Sequence, residues 1–291
     1  MSSIILFRYL ASLGILLSLA SEAAGDAPFF IGLGHIEGYE WGSYAHAISG
    51  DGSTVVGSSA TQSEGSLAFR WTLEEGMVPL GFLPGGDSSG AHGVSGDGSV
   101  IVGWGKSYNT DEEGEWEAFK WTADTGMVGL GDLPGSKFES RAYDVTADGA
   151  TVVGSGVLPA PHSLTHPTRW IGDAPPEDLG GLPGVSWPDS RGAALAVSAD
   201  GSAIVGLSNG EHAEEAFLWT EDDGMIGLGN LAGGGYYSSI AWDVAVNTEI
   251  TVVGMSHLQG PGYYGYEAFR WTEATGMVGL GTLHGPTNGS T

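Results

Sequence analysis

The chain has 291 residues, 51 of them glycine and none cysteine, with 35 acidic side chains against nine Lys and Arg for a net charge of −26. A nucleic-acid ligand needs cations to displace the counterions of its phosphates, and an anionic membrane surface attracts the same groups, so this charge excludes both. Each interior glycine costs a helix about 1 kcal/mol relative to alanine, which favours short strands and tight turns, and the fold must hold without disulfides.

In chain order, the first element reads as an export signal. Arg8 precedes an apolar run from Tyr9 to Ala20, too short to span a bilayer, and the small residues Ser21, Ala23, Ala24 and Gly25 follow. Cleavage after Ala23 and cleavage after Gly25 satisfy the small-residue rule equally; a retained anchor is the alternative. Residues 1–25 are therefore assigned as a signal peptide, 26–44 as a leading strand and latch, and 45–291 as a five-repeat domain. No second apolar stretch follows, so no integral membrane segment is expected in the mature chain, and the expected location is secreted, periplasmic or at the cell surface.

The repeat is set by three registers sharing one period. Trp71, Trp121, Trp170, Trp219 and Trp271 lie 50, 49, 49 and 52 residues apart. Gly57, Gly103, Gly154, Gly206 and Gly254 each close a β-branched run or its equivalent, and Leu-Gly pairs recur at Gly81, Gly131, Gly180, Gly229 and Gly281, with one more upstream at Gly34. The units fall at about 45–90, 91–140, 141–190, 191–238 and 239–291. Unit two shows four strands: Ala91 to Ser95, then Val100 to Trp104 after a Gly-Asp-Gly turn, then Glu117 to Thr122, whose alternation puts Phe119 and Trp121 on one face, then Met127 to Leu133. Asp-Gly turns suit tight hairpins because glycine accepts positive φ.

Four antiparallel strands per unit, repeated about a centre, predict an all-β fold, a β-propeller of five blades. A β-solenoid is the competing fold, but its periods are usually shorter. The segment Phe29 to His35 copies a fourth strand and is expected to complete or overlay the last blade; an open arc is the alternative to a closed ring.

The strings Ala118-Phe119-Lys120-Trp121-Thr122, Gly126-Met127-Val128-Gly129-Leu130-Gly131-Asp132-Leu133-Pro134-Gly135 and Val197-Ser198-Ala199-Asp200-Gly201-Ser202 resemble the HAF family of extracellular repeats across all five units. The resemblance implies an exported bacterial repeat protein. The Ser-x-Asp-Gly turn is also similar to that of WD40-like propeller repeats. Unit three departs from the pattern with Pro167-Thr168 in place of Ala-Phe, and unit five with Asn247-Thr248 in place of Asp-Gly, so those blades are expected to be less regular.

Positions that recur serve what every unit shares, so the repeated Phe and Trp are assigned to the core. Arg70, Lys120, Arg169 and Arg270 occupy one slot before the repeat Trp, with Leu218 in unit four; they either form salt bridges across blades, with Glu117, Glu215 or Glu267 as partners, or line an anion pocket. Asp51, Asp97, Asp148 and Asp200 are turn residues without a calcium-loop pattern, and His162 and His166 sit between prolines, so no metal site and no cofactor is expected. No nucleophile elbow, P-loop, zinc-protease helix or dinucleotide fingerprint is present, so no catalytic residue is assigned. Asp144 and Asp243 in the first strands of units three and five, where other units carry Ala or Gly, are the channel candidates.

Antiparallel topology puts the one–two and three–four turns on one rim, which is short and acidic at Glu74, Glu75, Asp124, Glu221, Asp222 and Asp223. The opposite rim, formed by two–three loops and blade connections, gathers Trp41, Trp104, Tyr108, Trp116, Trp187, Tyr236, Tyr237, Tyr263, Tyr264 and Tyr266. Variable loops on a repeated scaffold are where binding usually resides. The expected function is a non-catalytic binding module for an extracellular glycan or protein on this aromatic rim. A polysaccharide hydrolase or lyase at the channel mouth and a structural surface-layer repeat are the two alternatives.

Overall fold

Runs of Val, Ile and small residues between glycine turns form five four-stranded sheets, each an antiparallel meander in chain order, in a computed structural model that describes residues 31–39, 41–60, 65–107, 115–134, 139–158, 164–185, 191–210, 214–231, 238–260 and 263–281. Blade 1 runs from Gly42 to Gly81, blade 2 from Ser89 to Gly129, blade 3 from Arg141 to Asp178, blade 4 from Gly192 to Gly227 and blade 5 from Ser239 to Gly279. The protein is a five-bladed β-propeller. The expected signal peptide lies outside the described residues. Blade 3 is irregular, but not at Pro167-Thr168, which sit inside a complete third strand, Thr165–Ile171. It is the fourth strand that is cut to Glu177–Asp178, directly after Pro175 and Pro176, which lack the N–H a ladder needs. Blade 5 keeps all four strands despite Asn247-Thr248.

Every blade has a β-bulge in its first strand. The register shifts between Ala45 and Ala47, Ala91 and Gly93, Ala142 and Asp144, Ala194 and Ala196, and Ala241 and Asp243. The inserted residues are His46, His92, Tyr143, Leu195 and Trp242. The bulge explains the repeat glycine of the second strand. A Cβ on Gly57, Gly103, Gly154, Gly206 or Gly254 would lie 1.9–2.0 Å from the carbonyl oxygen of Tyr44, Gly90, Arg141, Ala193 or Ile240, so only glycine admits this approach of the bulged strand.

The Ser-x-Asp-Gly turns are self-contained. In blade 4 Ser198 Oγ donates to Asp200 Oδ1 at 2.6 Å, the Ser202 amide donates to the same oxygen at 3.1 Å, and the Ala203 amide donates to Ser198 Oγ at 3.0 Å. Gly201 follows at φ +77°. Asp51, Asp97 and Asp148 repeat the arrangement. These donors hold all four carboxyls below the usual range, Asp97 at about 2, chiefly through the Ser99 hydroxyl.

Blades join through a hydrophobic layer built the same way each time. The middle Val of the second strand, the Ala or its equivalent on the third and the Leu of the fourth pack on the first strand, Phe and Trp of the next blade. Val56, Ala68, Leu80 and Leu83 of blade 1 meet Ala91, Val94, Ile101 and Phe119 of blade 2. The other layers join blades 2 and 3, 3 and 4, and 4 and 5. The described residues thus hold five blades and four such layers. Val253 and Leu280 of blade 5 and Ile48 of blade 1, whose counterparts elsewhere are buried or, for Leu130, partly buried, are 39%, 61% and 60% exposed.

The fourth strand of blade 5, Gly276–Gly279, comes from its own repeat, so the blade does not need the upstream copy to complete it. Residues 31–36 form no strand. The Gly34 carbonyl accepts from Ser43 Oγ at 2.5 Å, as those of Gly81, Gly131 and Gly229 accept from Ser89, Ser140 and Ser239, so the chain from Gly34 enters blade 1 as three of the four connections enter the next blade.

The cation slot does form salt bridges, but not with the expected acids. Glu117, Glu215 and Glu267 instead accept the amides of Gly131, Gly229 and Gly281, because their side chains lie along the fourth strand of their own blade. Arg70 pairs with Glu75, and Arg270 with Glu249 at 2.9 Å, both within a blade; Lys120 donates to the Gly149 carbonyl of the next blade at 3.0 Å. Arg169 pairs with Glu177 at 2.7 Å and reaches Glu221 of blade 4 at 2.9 Å, its guanidinium 4.5 Å from the centre of the Trp219 ring. Arg70 likewise lies 5.9 Å from Trp121 of the next blade.

Candidate functional site

The bulge inserts one side chain per blade, a ring in every blade but the fourth, and those of blades 1 to 3 meet one another. His46 stacks on His92 with centroids 4.4 Å apart and planes 12° from parallel. His92 stacks on Trp104 at 5.7 Å and meets Tyr143 edge-on at 6.1 Å. Trp104, inside the second strand of blade 2, meets Trp116 near the start of the third at 4.5 Å and 86°. Lys106 pairs with Trp116 two residue pairs beyond the pair of Trp104 with Ala118, which puts Trp104 and Trp116 on one face of the sheet.

Two cations frame this ridge. The Arg141 guanidinium lies 5.7 Å from the Trp104 ring centre and the Lys106 ammonium 5.9 Å from that of Trp116. Each has a carboxylate nearby, Glu139 at 3.5 Å and Asp87 at 3.4 Å. A cleft of about 230 Å³ continues the ridge toward blade 4, lined by Glu139, Arg141, Tyr143, Ser155, Thr165 and Gly192. In a chain of net charge −26 the cations outside the repeat slot, apart from Arg8, are Lys106, Lys137, Arg141 and Arg191. Those three that are described, Lys106, Arg141 and Arg191, all stand at the loop-rim ends of their strands.

Burial, helped by the charges of His46 and Arg141, pushes the His92 imidazole down to about 4. His46 Nδ1 lies 2.8 Å from the Ala91 carbonyl, while His92 Nε2 has no hydrogen-bond partner among the described residues. Because the folded value lies below the unfolded value of 6.5, the unfolded chain takes the proton first. The stability contribution of His92 is thus fully present above pH 6.5 and is lost as pH falls toward 4. In NMR titration the His92 ring protons are expected to show a midpoint near 4; a midpoint near 6.5 would mean the stack is solvated.

Of the residues predicted for the rim, Trp104 and Trp116 come together at the ridge. Trp41 stands exposed at the entry to blade 1, and Tyr266 packs edge-on against His257 at 5.2 Å on blade 5. Tyr263 and Tyr264 lie on the third strand of blade 5, paired with Gly260 and Gln259. Tyr108, Trp187, Tyr236 and Tyr237 lie outside the described residues. His46, His92, Tyr143, Arg141 and Lys106 were not among the predicted site residues. The signal was available: the position just before Asp144 and Asp243 reads His, His, Tyr, Leu and Trp through the five units, breaking the repeat inside its most regular strand.

Asp144 and Asp243 share a local geometry, each Oδ1 accepting the next residue's amide at 2.8 Å. Asp144 Oδ2 also accepts the amide of Val197 in blade 4 at 2.9 Å, tying blade 3 to its neighbour. Burial pushes the Asp144 carboxyl up to about 6, against these two amides and with a further upward push from the Asp243 charge. No blade follows Asp243 among the described residues, and it is exposed.

No family model matches the chain, and neither does any curated protein sequence. Among solved structures, a TolB from Agrobacterium tumefaciens is similar at TM-score 0.55 and 16% identity, over 82% of this chain and 80% of that one. A puromycin-hydrolyzing peptidase from Mycobacterium tuberculosis is similar at TM-score 0.52 and 14% identity, over 87% of this chain but only 40% of its own length. At such identities the likeness is one of fold, and the fold it supports is the β-propeller.

Proposed function

We propose that the protein is an exported, non-catalytic binding module that holds a surface glycan or protein on the ridge formed by His46, His92, Trp104, Trp116 and Tyr143. The observation that carries this reading is the contiguous aromatic stack, flanked by Arg141 and Lys106, on the rim where the repeat is broken. Aromatic faces offer stacking area with little loss of side-chain entropy, and the two cations supply directional polar contacts. The export signal and the resemblance to extracellular repeats support a location outside the cytoplasm.

The cleaving alternative requires a carboxylate free to reach a ligand; Asp144 has both oxygens engaged by backbone amides, which leaves the exposed Asp243, with one oxygen engaged, as the channel candidate such a role would use. A glycan array and an envelope-protein pull-down, run with wild type and Trp104→Ala/Trp116→Ala, test the proposal. Loss of signal of at least about tenfold is expected in the double variant, the scale of removing one or two interface anchors. A ligand bound equally well by both proteins would refute it.

A further inference from the structure

On the acidic rim, the grooves between neighbouring blades are where the slot residue before the repeat Trp comes to rest. Between blades 3 and 4 the slot holds Arg169, which lies over Trp219 and pairs with Glu221. Between blades 1 and 2, and between blades 2 and 3, Arg70 and Lys120 line grooves of about 410 and 380 Å³ beside Trp121 and Trp170. Between blades 4 and 5 the slot residue is Leu218, which is buried and too short to reach over the next tryptophan. The groove there opens to about 780 Å³.

The receptor for a cation nonetheless persists. Trp271 stands in the register of Trp219, and Glu273 in the register of Glu221. Both line the open groove, with Leu218, Ile226 and Ile250 forming an apolar floor and Asp223 at the edge. Glu249 is engaged by Arg270, so Glu273 is the carboxylate placed as Glu221 is for Arg169. An aromatic face, a facing carboxylate and an apolar trough match a planar cation on an alkyl stem.

We propose that the groove between blades 4 and 5 is a binding site for a guanidinium group carried by a ligand, an arginine side chain of a bound peptide, which takes the place that Arg169 takes one blade earlier. The acidic rim would supply long-range attraction for such a ligand. This site is on the opposite rim from the aromatic ridge, and its test is independent of that reading.

The experiment titrates the full chain with the blocked peptide Gly-Arg-Gly, following tryptophan fluorescence and the indole N–H signal of Trp271. Saturable binding is expected in wild type, weakened about two- to fivefold in Glu273→Gln, the range of one exposed ion pair, and weaker still for the blocked peptide Gly-Lys-Gly. Leu218→Arg should fill the groove from within, abolishing binding and raising Tm by roughly 2–4 °C. If that variant does not fold, Trp271→Leu replaces it, with loss of binding expected. No saturable response in wild type, or affinity unchanged in Leu218→Arg or in Trp271→Leu, would overturn the proposal.

Discussion

Trp219→Ala is expected to lower the free energy of unfolding by about 3–5 kcal/mol, and Trp71→Ala by roughly half as much, although the two residues occupy the same repeat position. Trp219 is buried in the layer between blades 3 and 4, with Val153, Leu179 and Leu182 of the preceding blade against it and the Arg169 guanidinium over its face. Removing it leaves a cavity walled by two blades and deprives Arg169 of its platform. Trp71 has the same in-blade neighbours but no preceding blade among the described residues, and it is partly exposed already. Denaturant unfolding of the two variants at neutral pH measures the difference. Equal losses would mean that blade 1 is covered as fully as blade 4.

Gly206→Ala is the second large effect, expected to cost on the order of 3 kcal/mol or more and in expression trials to yield little folded protein. The added methyl would sit 2.0 Å from the Ala193 carbonyl oxygen and 3.0 Å from the Phe217 ring. The obstacle is backbone, held by the bulge on one side and the next blade on the other, so it cannot move aside as a flexible side chain would. Gly201→Ala makes the control. Its φ of +77° strains an alanine, but the nearest atom is the Thr146 methyl at 3.3 Å, so a cost nearer 1 kcal/mol is expected. Thermal melts of both variants separate steric exclusion from backbone strain; a Gly206→Ala protein as stable as Gly201→Ala would contradict the bulge geometry.

The scaffold was largely legible in the sequence because it recurs. Trp and a Val-Val-Gly or Ile-Val-Gly segment return in every unit and Asp-Gly in four of the five, and strand number, turn position and core assignment follow from where they return. The reason for Gly206 was not legible, since a glycine inside a strand signals close approach without saying what approaches. The bulge that creates the contact is a pairing irregularity with no residue type of its own. The partners of the cations were misassigned for a related reason. Glu117 shares a face with Phe119 and Trp121, opposite to that of Lys120 on the same strand, and its carboxylate accepts the Gly131 amide instead of meeting a cation of the slot.

The ridge was half legible. Trp104 and Trp116 stand out as aromatics that break the period, whereas His92 looks unremarkable until the bulge turns it toward Trp104. Asp144 shows the reverse case. A lone acid in a channel strand invites a chemical role, yet its contacts with Val145 and Val197 make it a link between blades.

The most direct measurement of the binding reading is amide hydrogen exchange with and without the partner recovered from the array or pull-down. Slowed exchange is expected at the backbone of Ala91 to Gly93, Trp104 to Lys106, Trp116 and Arg141 to Tyr143, with the acidic turns at Glu74, Asp124 and Asp222 unchanged. Protection confined to those acidic turns, or spread evenly over all five blades, would contradict it.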